Sequence, residues 1–224
     1  MMKVEIWSDV VCPFCYLGKR KFEKAMDQFP YKDQVEVIWH SFQLDPLIQH
    51  TPGMNIHEYL AGRKAVTVEN AKEMHSRMAE RVKESDLYYD FDKIVPANTF
   101  HAHRLIQYAK SMGVQDAAEE RLFHAYFTEG KDIGDLNVLA QLAEEIGLNK
   151  ETTKDILEST KFTDEVKHDL YEAHTIGVTG VPYFVFHDKY AISGAQASEM
   201  FLGALNRTWK ETQESHNIVE TGLN

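Results

Sequence analysis

Short apolar segments near both ends of the chain alternate with polar residues, as β-strands with one buried face do. Residues 4–7 predict a first strand, residues 12–28 an amphipathic helix, and residues 34–44 a second strand rich in β-branched and aromatic side chains. No hairpin turn separates these elements. Strand, helix and strand in this order therefore predict a βαβ unit with parallel strands.

The middle of the chain has a helical period instead. From about residue 55 to residue 177, apolar residues recur at spacings of three and four. Polar residues suited to N-capping precede three of the helices, and glycines suited to ending a helix follow them. The caps are Asn98, Asp135 and either Thr163 or Asp164, and the stops are Gly113, Gly147 and Gly177.

Strands return after the helical segment. Residues 182–186 and 189–192 predict two short strands joined by a turn, followed by a helix from residue 198 to about residue 210. The order βαβ, helices, ββα predicts an α/β fold into which a helical block is inserted. We assign residues 1–50 and 178–212 to the α/β domain, 51–177 to the helical insertion and 213–224 to a C-terminal tail.

The two cysteines of the chain, Cys12 and Cys15, enclose Pro13 and Phe14 at the junction between the first strand and the first helix. Thiols at this spacing can close a small disulfide, and the unpaired N–H groups at a helix start stabilise a thiolate. We predict that Cys12 is the exposed nucleophile and that Cys15, one turn inward, resolves the mixed disulfide. Asp9 would disfavour the thiolate if its carboxylate faced the sulfur.

Two other interpretations of the cysteine pair are weaker. Two small core residues would explain neither the proline between them nor the strand–helix junction. A zinc site typically needs four ligands, and the chain has no second Cys-x-x-Cys. Among the 11 histidines only His101 and His103 are spaced like ligands, and residues two apart on a helix do not face each other. We therefore predict no metal site.

The segment Gly-Val-Thr-Gly-Val-Pro, residues 177–182, leads into the third predicted strand. Pro182 cannot donate a hydrogen bond at the strand entrance. If the Val181–Pro182 bond were cis, Val181 would offer its backbone N–H and C=O beside the cysteines, where an extended substrate peptide could pair with them. Because only about one X–Pro bond in twenty is cis in folded proteins, the residues alone favour a trans bond.

Charge and composition restrict the partners and the location. The chain has 24 Lys and Arg against 35 Asp and Glu, a formal net charge of −11, which argues against binding nucleic acid or an anionic membrane. No segment approaches the roughly 20 apolar residues of a membrane span. Residues 1–3 lead straight into the first strand without a signal peptide. We therefore expect a cytosolic protein, where a lone Cys-x-x-Cys indicates catalysis or metal binding rather than a structural disulfide.

Three helical positions have a structural and a functional interpretation. Asn98 fits a helix N-cap, with substrate contact as the alternative. His103 fits a partly buried structural histidine better than an acid–base group. Glu119, Glu120 and Arg121 predict a solvated helix face.

Three motifs together resemble the DsbA-like thioredoxin-fold proteins of the FrnE type. They are SDVVCPFCYLGKR near the N-terminus, GVTGVPYFVF near residue 180 and ISGAQ just after it. The middle segment is similar too, most clearly in LFHAYFTEGKDI at residues 122–133. The resemblance therefore covers nearly the whole chain.

The resemblance implies a thioredoxin fold with a helical insertion and a thiol–disulfide oxidoreductase activity that uses no cofactor beyond a redox-active disulfide. It implies that Cys12 is the nucleophile, that Cys15 is the resolving cysteine and that Pro182 follows a cis bond. In the family, the helix that starts near Asn98 comes close to the active site.

Two departures from the family pattern are visible. Phe14 stands where the family often has tryptophan, so an indole N–H is lost. His40-Ser41-Phe42 stands where a basic residue and a proline would be expected before the phenylalanine.

We predict a thiol–disulfide oxidoreductase that acts on protein or peptide thiols through Cys12 and Cys15. The substrate-binding residues would be Pro13, Phe14, Val181, Pro182 and Asn98. Glutathione is a candidate reductant, and the oligomeric state stays open, with a homodimer among the options.

Two alternatives remain. One is a glutathione-dependent transferase or isomerase of the kappa or 2-hydroxychromene-2-carboxylate isomerase type. That branch typically has serine in place of the first cysteine, so Cys12 argues against it. The other is a redox-sensing binding protein.

Overall fold

The computed structural model describes residues 1–49 and 53–221, with side-chain contacts up to residue 214. Four strands within these residues form one sheet in the order β2-β1-β3-β4. The strands are β1 (Met2–Ser8), β2 (Val35–Ser41), β3 (Tyr183–Phe186) and β4 (Tyr190–Ser193). Strand β1 pairs in parallel with β2 and antiparallel with β3, and β3 pairs antiparallel with β4. The predicted parallel βαβ unit is therefore confirmed.

Helices account for most of the remaining described residues. The helices are α1 (Pro13–Gln28), α2 (Ile56–Lys64), α3 (Val68–Lys83), α4 (Phe100–Ser111), α5 (Gln115–Phe127), α6 (Leu136–Glu145), α7 (Lys150–Glu158), α8 (Thr163–Thr175) and α9 (Ser198–Thr221). Helices α2 to α8 lie between β2 and β3 in the chain. The predicted fold class, an α/β fold with a helical insertion at this point, is confirmed.

One face of the sheet packs against α1 and α9. Alternate residues of a strand point to the same face, so Val4 and Ile6 of β1 share this face with Phe184 and Phe186 of β3. Phe201 of α9 belongs to the same cluster, and its ring centroid lies 4.6 Å from that of Phe184. This apolar layer holds the first turn of α1 at the end of β1.

The helical insertion has its own apolar core, and the start of α1 enters it. Cys12, Cys15 and Tyr16 pack in the same buried cluster as Phe123 of α5. The rings of Tyr16 and Phe123 stack with centroids 4.9 Å apart. The cysteine segment therefore lies at the junction between the sheet and the helical insertion.

The predicted helix signals are mostly confirmed. The Asp135 side chain accepts hydrogen bonds from the N–H groups of Asn137 and Val138, as an N-cap does. Gly113, Gly147 and Gly177 all have positive φ just after helix ends. The N-cap of α4 is Thr99 rather than Asn98, although Asn98 Oδ1 does accept the N–H of Phe100 at 3.0 Å.

Two element ends differ from the prediction. Strand β2 ends at Ser41 rather than at residue 44, because its partner β1 ends at Ser8 and turns toward Cys12. Helix α9 continues to Thr221 rather than ending near residue 210. Trp209 on α9 stacks on Tyr31 with centroids 4.6 Å apart, which anchors the helix near the predicted end.

The proposed domain division remains a prediction. Its boundary between residues 50 and 51 and its last residues, 222–224, lie outside the described residues.

Candidate active site

Cys12 occupies the N-cap position of α1. Its backbone is extended, with φ −88° and ψ 112°, and Pro13 is the first helical residue. The Cys12 N–H donates to Asp9 O at 2.9 Å, and the Cys15 N–H donates to Cys12 O at 3.0 Å. This turn connects the end of β1 to the helix and places the Cys12 side chain at the open N-terminus of α1.

Both cysteines are free and buried. Cys12 is 3% exposed and Cys15 is 1% exposed, so the expectation of an exposed Cys12 is wrong. The Cys12 thiol donates to the backbone oxygen of Val181 at 3.5 Å. The segment before β3 therefore covers the sulfur that sequence reasoning placed at the surface.

The environment of Cys15 favours the thiol over the thiolate. Burial raises the pKa of Cys15 well above its usual value, and the neighbouring Cys12 raises it further. The backbone of Asp9 and the hydroxyl of Ser8 lower this pKa, by less than burial raises it. Cys15 is therefore protonated at neutral pH.

The Val181–Pro182 peptide bond is cis. Val181 is half-buried and Pro182 is buried. The two residues lie beside Cys12, as the hydrogen bond from its sulfur to Val181 O requires. The structure therefore brings together four of the predicted site residues: Cys12, Cys15, Val181 and Pro182.

Gly18 of α1 is a site residue that sequence reasoning missed. A Cβ atom at this position would lie 2.8 Å from Pro182 Cγ and 3.5 Å from Phe184 Cζ. The absence of a side chain lets the proline ring lie directly against the helix. A glycine inside an otherwise helical pattern was the available signal.

Pro13 and Phe14 have different surroundings. The Pro13 carbonyl accepts the hydroxyl of Tyr89 at 2.9 Å, which ties the helix start to the insertion. Phe14 is 42% exposed, and the guanidinium of Arg81 lies 5.7 Å from its ring centroid. Phe14 and Arg81 therefore form an accessible apolar and cationic surface next to the cysteines.

The Asn98 side chain is hydrogen-bonded to the loop that follows β2. Its Nδ2 donates to Pro46 O and Ile48 O, both at 3.1 Å, and its Oδ1 accepts from Phe100 N–H and from Gln43 Nε2. These bonds use both its donor and its acceptor atoms within the chain. The structure thus gives Asn98 a positioning role, and its predicted contact with substrate remains a prediction.

A buried group of ionisable side chains lies behind the cysteine turn. Asp9, His103 of α4 and Glu119 of α5 are all at most 1% exposed. The Asp9 carboxylate accepts Leu44 N–H at 2.7 Å and lies 3.4 Å from His103 Nε2. It is directed toward these two groups, so the expected unfavourable effect on the Cys12 thiolate does not follow from its position.

The protonation of this group is shifted by its surroundings. Burial opposes a charge on His103, but the close contact with the Asp9 carboxylate and the Asp9 charge outweigh it and raise the pKa of His103. Burial raises the pKa of Glu119 to about 8. Glu119 is therefore mostly neutral at pH 7. The expectation that His103 is only partly buried is wrong, since it is fully buried.

The predicted solvated face at Glu119, Glu120 and Arg121 is also wrong. Glu120 accepts the Tyr16 hydroxyl at 2.6 Å and pairs with Arg20, and Arg121 pairs with Glu129 at 2.8 Å. Helix α5 packs against α1, which buries or pairs these residues. Sequence spacing did not reveal this packing, because the partners of Glu120 are about 100 positions away along the chain.

No helix in the described part of the chain is both long and apolar enough to cross a bilayer. This finding agrees with the absence of an apolar segment in the sequence.

The sheet order, the helical insertion and the Cys-Pro-Phe-Cys helix start define a thioredoxin-fold protein with a dithiol site. The family model of the DsbA-like thioredoxin domain matches residues 3–206. The chain therefore belongs to the DsbA-like thioredoxin family.

Individual relatives support this assignment. The uncharacterized protein YwbO of Bacillus subtilis is 30% identical over 210 residues, which cover 93% of this chain and 98% of YwbO. The crystal structure of a probable DsbA oxidoreductase from Streptomyces coelicolor is 35% identical, with a TM-score of 0.89 over 94% of this chain and 91% of that one.

A more distant structure shows how far the fold extends. A 2-hydroxychromene-2-carboxylate isomerase superposes with a TM-score of 0.71 at 16% identity, covering 95% of this chain and 98% of the isomerase. At this identity the likeness concerns the fold alone. Since one fold carries different chemistries, this likeness does not identify the reaction.

Proposed function

We propose that this protein is a thiol–disulfide oxidoreductase that exchanges disulfides with protein or peptide thiols through Cys12 and Cys15. The observation that carries the proposal is the placement of Cys12 at the N-terminus of α1, 3.5 Å from Val181 O, with Cys15 buried behind it. The 35% identity to a probable DsbA oxidoreductase supports it.

The reaction in the reducing direction has two exchange steps. The Cys12 thiolate attacks one sulfur of a substrate disulfide, forms a mixed disulfide and releases one substrate thiolate, which takes up a proton. Cys15 then loses its proton and attacks the Cys12 sulfur, which closes the Cys12–Cys15 disulfide and releases the second substrate thiolate. Two electrons pass from the cysteine pair to the substrate, and the reverse sequence oxidises a dithiol.

The substrate must first reach a covered sulfur. Because Cys12 is 3% exposed, exchange requires the residues over it to move or a substrate to displace them. Val181 offers a backbone for pairing with an extended peptide. Phe14 and Arg81 offer an apolar ring and a cation beside that path.

The first test compares single-cysteine variants. Cys12→Ser should abolish reduction of a fluorogenic peptide disulfide. Cys15→Ser should accumulate a mixed disulfide between Cys12 and the peptide, detected by mass spectrometry. Full exchange activity in Cys12→Ser would overturn the proposal. Saturable binding of reduced glutathione, with turnover retained in Cys15→Ser, would instead favour a glutathione-dependent enzyme.

The second test uses the pH dependence of the resolving step, in which Cys15 attacks the mixed disulfide at Cys12. Since the pKa of Cys15 lies well above its usual value, its thiolate fraction, and with it the resolving rate, should rise about tenfold per pH unit through the neutral range. Stopped-flow measurement of product release from a preformed mixed disulfide, between pH 6 and pH 9, reports this rate. A rate that is flat across this range would contradict the role given to Cys15.

A redox-sensing binding protein makes a different prediction. Exchange with peptide disulfides would be slow, while oxidation of the cysteine pair would change the affinity for a partner. A location in a reducing compartment remains part of the proposal, because it decides which direction of exchange prevails.

A further inference from the structure

A second group of ionisable side chains lies where α8 packs against the edge strand β2. His40 comes from β2, and Asp169 and Glu172 are one turn apart on α8. The three residues border a cavity of about 500 Å³, which Gln107 and Lys110 of α4 also line. None of these residues takes part in the thiol chemistry proposed above.

The ring of His40 is held in one orientation. It stacks on Trp7 with ring centroids 4.5 Å apart and planes 13° from parallel. Its Nε2 lies 3.2 Å from Glu5 Oε1. Its Nδ1 lies 2.8 Å from Asp169 Oδ1 and 3.8 Å from Glu172 Oε2. One edge of the ring thus meets a single carboxylate, and the other edge meets two.

The three potential ligand atoms converge on one point. His40 Nδ1 and one oxygen each of Asp169 and Glu172 all lie within 4.8 Å of one another. Two ligands of the same first-row ion, each bonded at about 2.0 to 2.2 Å, are about 3 to 4 Å apart. The spacing therefore suits a single ion with small side-chain adjustments.

The outer atoms of the two buried ligands are already held by other groups. Asp169 Oδ2 accepts Ser41 N–H at 2.7 Å and Gln107 Nε2 at 2.6 Å. Glu5 faces the second nitrogen of His40. In metal sites the second nitrogen of a ligating histidine almost always donates to a carboxylate, a carbonyl or a water, and ligating carboxylates are hydrogen-bonded in turn. The surroundings of His40 and Asp169 match that arrangement.

The local charge also favours a cation. Asp164 and Glu165 line the same cavity, and Lys110 and His168 are the cationic or titratable groups that face them. Together with Glu5, the carboxylates outnumber the positive side chains. A divalent ion would offset this excess of negative charge.

We propose that His40 Nδ1, Asp169 and Glu172 bind one divalent first-row metal ion, with its remaining coordination positions open to the cavity. Imidazole and carboxylate ligands suit ions such as Zn²⁺, Mn²⁺ or Fe²⁺. The ion would join β2 to α8.

The test measures Zn²⁺ binding by isothermal titration calorimetry. The background is the full chain with Cys12→Ser and Cys15→Ser, because thiolates also bind zinc. We expect one ion per chain, an affinity at least tenfold lower after Glu172→Gln, and a loss of binding after His40→Ala. Glu172 is partly exposed, so its variant should keep the fold even if the His40 variant does not.

Glu165→Gln is the matched control, since Glu165 lines the cavity but lies outside the ligand set. It should change the affinity less than threefold. The proposal is overturned if the background protein binds no Zn²⁺ saturably. It is also overturned if Glu172→Gln binds as tightly as Glu165→Gln, which would leave adventitious surface binding by other histidines as the explanation.

Discussion

Two buried polar clusters join the sheet to the helical insertion, and they differ in how completely their atoms are hydrogen-bonded. Around Asp169, both carboxylate oxygens and both nitrogens of His40 have partners. Around His103, hydrogen-bond partners are lacking for Asp9 Oδ1, both imidazole nitrogens and Glu119 Oε2, although His103 and Asp9 are within ion-pair distance. A buried polar atom with no partner at all costs about 1 to 3 kcal/mol, and the ion pair between Asp9 and His103 offsets part of that cost.

The incompletely bonded cluster is the one that lies close to the cysteines. Asp9 lies in the turn before α1, and its backbone carbonyl accepts the N–H of Cys12. This cluster therefore lies directly behind the candidate active site. The Asp169 cluster lies at the edge strand, where it anchors α8. Proteins commonly have less complete hydrogen bonding near functional sites, and the two clusters fit that pattern.

The largest expected effect comes from breaking the fully bonded cluster. Asp169→Ala leaves the buried Ser41 N–H, the Gln107 amide and His40 without their acceptor. We expect a loss of about 3 to 5 kcal/mol in the free energy of unfolding, measured by urea denaturation, because the partners stay buried. Glu165→Ala, on the exposed side of α8, is the control. A loss below 1 kcal/mol for Asp169→Ala would show that this cluster does not stabilise the packing of α8 on β2.

An intermediate effect, this time a gain in the free energy of unfolding, is expected from a substitution in the cluster around His103. The pKa of Glu119 is raised by burial from 4.5 to about 8, so the folded state holds a proton that the unfolded state releases. This contribution to stability is complete below pH 4.5 and is lost as the pH rises toward 8. Glu119→Gln, which cannot ionise, should be more stable than the parent by about 3 to 4 kcal/mol at pH 8.

The measurement is urea denaturation of both proteins at pH 5 and pH 8. The stabilisation by Glu119→Gln should largely disappear at pH 5, where the parent carboxyl is neutral in the folded state. Glu144→Gln, at an exposed position, serves as the control. An equal difference at both pH values would mean that Glu119 is ionised in the folded protein.

The smallest effect concerns a third polar pair, outside both clusters. His57 Nδ1 and His75 Nδ1 are 2.8 Å apart, and burial together with His57 lowers the pKa of His75 from 6.5 to about 4. The unfolded state therefore binds more protons between these values. Stability should fall by about 2 to 3 kcal/mol as the pH drops from 6.5 to 4.

His75→Gln should flatten this part of the stability curve, since glutamine can still hydrogen-bond to His57 without titrating. His124→Gln, at an exposed histidine, is the matched control. If the stability curves of both variants run parallel to that of the parent, groups other than His75 cause the acid sensitivity.

The sequence predicted the elements well where a local rule applies. The Asp135 cap and the Cys12-Pro13 helix start depend on neighbours a few positions away, and the structure has both. Predictions of exposure failed for Cys12 and Glu119, because each is covered by residues distant in the chain. Val181 covers Cys12, and Glu119 is buried near Asp9 and Lys19. Periodicity describes one element's faces and does not state what packs against them.

The sequence by itself thus determined the two thiols, their place at a helix start and the order βαβ, helices, ββα, since spacing and capping are local. Only the tertiary structure decided that Cys12 is covered by Val181, that Pro182 lies against Gly18 and that His40 meets Asp169. These pairs are 169, 164 and 129 positions apart. They form because the antiparallel β3 returns beside β1 and the helical insertion folds back over the junction, and no local pattern encodes that return.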